Sequence, residues 1–237
     1  MPMMTMLMIF ICVYFTILVV MLIYKKNINI KIANLTFILI NTILFIGYYI
    51  NDYYRKGFVE SLTFDQISPF TFTMISASFL MNKKTKEYFL SSVAFLSIGM
   101  LIAMIVSPQQ AYLVSYRLDA NMLYVLDTLL HLNCSLFGIF LVSSGQVKLN
   151  VESLKKAFIW MYSVIALVLI LNFTFHLNYF GMGPYSKFGI YMFKLFDSYW
   201  VTLLVYLFGV ALVLSLGYGF NLIISKLTTH KEETIEN

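Results

Sequence analysis

The chain has 237 residues, of which 60% are hydrophobic, 17% aromatic and only 11% charged, and its mean hydropathy is +0.83. Soluble domains carry about 25% charged residues, so this composition excludes an ordinary water-soluble fold and describes a membrane protein. The net charge of +5 lies in short basic clusters between apolar runs, with no stripe or motif for nucleic acid, so it reports topology and no nucleic-acid partner is expected.

Seven apolar runs follow in order. The first is 6–24, closed by Lys25 and Lys26; with no basic start and no small-residue cleavage site, it reads as a retained span. Runs at about 32–50, 66–82 and 89–106 come next, the third opening on Gln66-Ile67-Ser68-Pro69 and the fourth stopping before Pro108. The fifth, 122–144, reads MLYVLDTLLHLNCSLFGIFLVSS; the sixth runs from about Ala157 to Leu177 and the seventh from about Ser198 to Ser225. Each approaches the roughly 20 residues that cross about 30 Å of hydrocarbon, and alternating strand patterns are missing, so an all-α bundle of seven transmembrane helices is expected. Residues 1–227 form its single domain and 228–237 a short, polar, frayed tail. The aromatic segment Gly181–Phe196, with Lys187 and Lys194 among its rings, reads as a piece lying at the membrane interface.

Charge gives the expected orientation. Alternate loops hold Lys25, Lys26, Lys31, Lys83, Lys84, Lys86, Lys148, Lys155, Lys156, Lys226 and Lys231, eleven in all. The opposite loops hold five: Arg55, Lys56, Arg117, Lys187 and Lys194. The excess places the C-terminus in the cytoplasm and the N-terminus outside, with Asp52, Glu60 and Asp65 in the first outer loop. A multi-pass protein of the cell membrane is the expectation, with membrane lipids, and a membrane-protein partner in one reading, as its company.

Within the apolar runs a few polar residues stand out. Asp127, His131 and Ser135 are spaced four apart on the fifth span and share a helix face, flanked by Thr128 and Cys134. A central Asp costs about 2.5–3.5 kcal/mol on insertion scales, so such groups turn inward and take a partner. A rise of about 1.5 Å per residue puts His131 roughly 13–14 Å below Met122. Asn172 and His176 on the sixth span, Thr71 and Thr73 on the third, and Asp197 before the seventh fall at the same outer level. A carboxylate that orients an imidazole makes a proton-transfer pair; the alternative is a satisfied contact between helices. Ser92, Ala94, Ser97, Gly99 and Ala103, and Gly209, Gly217 and Gly219, read as close-packing positions. Cys12 and Cys134 both lie inside spans, so free thiols are expected, Cys134 as a small packing residue. Three histidines with no ligand spacing between them give no metal motif, and no cofactor is expected.

Ser68-Pro69 opening the third span, Pro108 closing the fourth, His131 in the fifth, and Asn172 followed by Asn178-Tyr179 resemble the YwaF-type integral membrane proteins over about residues 40 to 220. Eukaryotic relatives of that family are associated with acyl transfer between phospholipids, using a Cys and a His. Family members show a Pro-Leu-His-Leu-Cys-like motif where this chain has Pro69-Phe70-Thr71-Phe72-Thr73, so threonines stand at the positions of the family His and Cys. The resemblance implies a lipid acyltransferase or hydrolase, with His131 as base, Asp127 behind it and Thr71 or Thr73 as nucleophile. Asn172, His176, Asn178 and Tyr179 would then bind the ligand. Two other readings stay open: a protein that binds or transports a small ligand or ion through Asp127 and His131, and a structural partner of a membrane complex.

Overall fold

The structure, a computed structural model, describes residues 3–56, 67–106, 120–183 and 198–233. Among them the regular elements are all helical. Seven α-helices follow one another: α1 Met3–Ile23, α2 Ile30–Lys56, α3 Ile67–Ser76, α4 Lys83–Val106, α5 Ala120–Ser143, α6 Val151–Phe175 and α7 Tyr199–Glu233. Five carry apolar stretches long enough to cross a membrane: Ile30–Tyr54, Lys83–Ile102, Val125–Ser143, Val151–Phe175 and Tyr199–Lys226. The protein is a helical membrane bundle.

Local signals start several of these helices. Asn29 Oδ1 accepts the Lys31 and Ile32 amides at 3.0 and 3.2 Å before α2. Asn82 Oδ1 accepts Thr85 N at 2.9 Å before α4, and Asn150 Oδ1 accepts Ser153 N at 2.9 Å before α6. Each satisfies a first-turn N–H that the helix itself leaves open. Gly145, at φ +75°, ends α5 in the left-handed conformation that a glycine enters without a Cβ penalty.

Two expected spans end early. The third was expected over 66–82, but regular α-helix stops at Ser76 and a 3-10 turn, Ser78–Leu80, follows. Ten residues rise about 15 Å, half of the roughly 30 Å of hydrocarbon. The sixth was expected to reach Leu177, but α6 ends at Phe175, with His176 left-handed at φ 54°. The seventh runs past its expected end: α7 continues through Glu233, so most of the tail expected to fray is helical, because the polar run Thr228–Glu233 holds no Gly or Pro to stop it. The interface piece beyond Gly183, Asp197, Pro108, Glu60, Asp65, Arg117, Lys187 and Lys194 lie outside the described residues.

The bundle is built around α4 and α5. The apolar stretches of those two helices are 61% and 72% buried, against 22% for α6 and α7 and 6% for α2. Phe37 of α2 packs on Phe137 and Phe140 of α5, ring centroids 5.3 and 5.5 Å apart. Small residues let the backbones close up. A Cβ on Gly138 of α5 would meet Ser97 Cβ at 2.5 Å and Val93 O at 2.7 Å, and one on Gly217 of α7 would strike the Phe95 carbonyl of α4. Gly209 and Gly219, expected in the same role, face open space, because Gly217 alone of the three points at α4. Cys134 is buried in the core and Cys12 is exposed, both free thiols.

Hydrogen bonds stitch neighbouring helices. Tyr14 OH meets Ser135 Oγ at 2.8 Å (α1 to α5), and Asn133 Nδ2 donates to Phe37 O at 3.2 Å (α5 to α2). Asn41 Nδ2 donates to Phe72 O at 2.8 Å (α2 to α3), Tyr162 OH to Leu207 O at 2.9 Å (α6 to α7) and Asn221 Nδ2 to Ala94 O at 3.2 Å (α7 to α4). Lipid competes poorly for polar groups, yet each such bond contributes only about 0.6 kcal/mol on average. Their larger effect is to fix which helix lies beside which.

Candidate functional site

The ionisable residues of α5 turn inward, as the cost of exposing them to hydrocarbon requires. The side chains of His131 and Asp127 are 10% and 15% exposed. His131 Nδ1 lies 2.8 Å from the Asp127 carbonyl oxygen one turn back and 3.5 Å from Asp127 Oδ1. A carbonyl oxygen only accepts, so Nδ1 must carry the proton. In the neutral ring Nε2 is then the acceptor, ready to take a proton or a donor. α5 itself supplies both contacts through the four-residue spacing.

The ring is braced from α3. Phe72, fully buried, stands edge-on to His131 with centroids 5.1 Å apart. Its backbone oxygen takes the Asn41 amide, so α2, α3 and the histidine are joined through one residue. Phe72 was not among the residues singled out from sequence; an aromatic in an apolar run carries no signal of its own. Asn41 did carry one, as an amide in the middle of an apolar span.

Thr71 and Thr73 flank Phe72 on α3, and both hydroxyls are already used. Thr71 Oγ1 donates to Ile67 O and Thr73 Oγ1 to Pro69 O, each at 2.9 Å. These are the back-bonds to the preceding turn that Ser and Thr make inside helices. The Pro69 ring, in the first turn, removes an N–H that had no intrahelical acceptor there. A hydroxyl poised as nucleophile would instead donate to its base.

Three of the four residues expected to bind ligand form a different structure. Asn172, fully buried, clamps the Tyr179 backbone from both sides: Nδ2 donates to Tyr179 O at 3.0 Å, and Tyr179 N donates to Oδ1 at 2.8 Å. Asn178 Oδ1 accepts Gly183 N at 3.1 Å, and Tyr199 OH donates to Met182 O at 2.9 Å. Phe180, left-handed at φ 59°, is buried against Phe70 with centroids 5.5 Å apart. His176 is exposed beyond the end of α6, so it does not share a helix face with Asn172. The cluster is a hydrogen-bonded reversal that seats the chain after α6 against α3 and α7.

The structure therefore brings together Asp127, His131 and α3, and separately Asn172, Asn178 and Tyr179. Among the described residues no group of three or more His, Cys, Asp or Glu side chains is placed to hold a metal ion. Compared with family models, with curated proteins and with solved structures, the chain matches none.

Proposed function

We propose that this chain is a multi-pass protein of the cell membrane whose working centre is the Asp127–His131 pair, a site that binds a proton or small cation within the bundle. One observation carries this reading: an inward-turned imidazole whose Nδ1 is held at 2.8 Å by a carbonyl and at 3.5 Å by a carboxylate, leaving Nε2 as its open functional atom. Intramembrane ionisable residues are costly and mark ion or proton pathways when they face a bundle interior. The test uses protein in liposomes with a trapped pH dye and an imposed pH step. Wild type should collapse the gradient faster than protein-free vesicles, and His131→Gln should not. Wild-type rates equal to those of protein-free vesicles would contradict proton passage at this site.

The lysine and arginine excess of eleven to five supports an N-terminus outside and a C-terminus in the cytoplasm. A cysteine placed at Asn237 should resist an impermeant thiol reagent in intact cells; its labelling would reverse the topology.

A second reading, acyl transfer or hydrolysis on membrane lipid, draws on the YwaF-type resemblance and on the same free Nε2, which is where a general base acts. In its simplest form water is the nucleophile, because the threonine hydroxyls are committed to carbonyls. It predicts that lipid profiles of cells carrying wild type differ from those carrying His131→Gln. Identical profiles would contradict action on lipid through His131.

A further inference from the structure

α3 is a half-length helix, and two side-chain oxygens that lack hydrogen-bond partners, one on α2 and one just after α3, belong to residues around its C-terminal end. Asn41 Nδ2 donates to Phe72 O at 2.8 Å and to Ser76 Oγ at 2.9 Å. Phe72 O can only accept, which fixes the orientation of the amide and leaves Oδ1 as the remaining arm. That oxygen is buried and has no hydrogen-bond partner among the described residues, on a residue of 0% exposure. Two residues beyond Ser76 in the chain, the hydroxyl of Ser78 is likewise buried with no hydrogen-bond partner, on a residue of 1% exposure. Thr42 Oγ1 stands 3.0 Å from Ser76 Oγ and closes the group from the α2 side.

A buried, unpaired amide oxygen is costly, and a strict acceptor is relieved only by a donor or a cation. Three features favour a cation. The end of a helix carries partial negative charge, roughly half an elementary charge, concentrated in its last turn. The side chains here (Asn41, Thr42, Ser76 and Ser78) are hard neutral oxygen ligands with no sulfur among them. Broken helices inside membrane bundles present such C-terminal ends to alkali ions. The absence of a carboxylate from this set matches a single positive charge better than a double one.

We propose that the junction of α2 with the C-terminal end of α3 binds a monovalent alkali cation, sodium in the first instance, with Asn41 Oδ1 and Ser78 Oγ as ligands. The site goes beyond the protonatable pair and does not depend on it, although Phe72 connects the two.

The experiment is thermal unfolding of the full chain in lipid nanodiscs at constant ionic strength, with sodium chloride exchanged stepwise for choline chloride. An ion that binds the folded state alone raises the midpoint in a saturable way, here by about 2–4 °C. Ser78→Ala, which removes an unpaired hydroxyl and no bond, should keep the wild-type midpoint in choline and lose the sodium-dependent rise. Asn41→Ala should lose the rise as well, from a lower starting midpoint. His131→Gln should retain it, which separates this site from the protonatable pair. Equal wild-type midpoints in sodium and choline would overturn the proposal and leave buried water as the occupant. A rise that survives in both Ser78→Ala and Asn41→Ala would also overturn it.

Discussion

Asp127–His131 and Asn172–His176 are spaced alike, four residues apart with the histidine second, and the fold treats them in opposite ways. On α5 the helix continues for twelve residues past His131, to Ser143, so the spacing becomes a contact and the two side chains share one inward face. After Asn172 only three helical residues remain, and His176 leaves the helix axis in a left-handed turn at φ 54°. The amide then turns to the Tyr179 backbone and the histidine to the exterior. Helical spacing means proximity only where the helix persists through both residues. One pair became an inward contact between two side chains, and in the other the asparagine alone became a structural clamp.

The largest expected difference between the two pairs is in stability. Asn172→Ala removes two hydrogen bonds to the Tyr179 backbone from a buried side chain, so it should cost about 2 kcal/mol. His131→Gln should cost about 1 kcal/mol or less, because what it gives up is a local bond and one ring contact. Denaturation of both variants in the same detergent compares them directly; equal losses would make the histidine as much a core element as the asparagine. The smallest effect is at the other histidine. His176→Gly places a glycine where the backbone is already left-handed and should stabilise by about 0.5 kcal/mol. A loss of stability there would mean that the imidazole makes a contact worth more than the backbone strain.

Much of the bundle was legible in the sequence because burial in lipid demands long apolar runs, and those are visible residue by residue. All seven expected spans contain an α-helix. The inward turn of Asp127 and His131 was legible for the same reason: the cost of exposing charge leaves few choices. What sequence did not disclose were helix ends decided by tertiary bonds. Nothing in Phe72-Thr73-Met74-Ile75-Ser76 announces a stop; Asn41, thirty-one residues earlier, reaches across to Phe72 O and Ser76 Oγ at that point. Likewise Leu177 and Asn178 look like a continuation of α6 until Asn172 folds back on Tyr179. Thr71 and Thr73 stand out as polar residues in an apolar run, yet their hydroxyl bonds run to the preceding turn, as any helical threonine's can.

Asp127 and the α5 backbone hold His131 by Nδ1, which fixes the proton of the neutral ring on that nitrogen. Nitrogen-15 spectra of protein labelled at its three histidine rings, recorded in lipid, report this directly, with His131→Gln to assign the signal. The expected result is a His131 ring protonated at Nδ1, with Nε2 bare when the ring is neutral. A ring protonated at Nε2 with a bare Nδ1 would contradict it, because a bare nitrogen cannot donate to the Asp127 carbonyl 2.8 Å away.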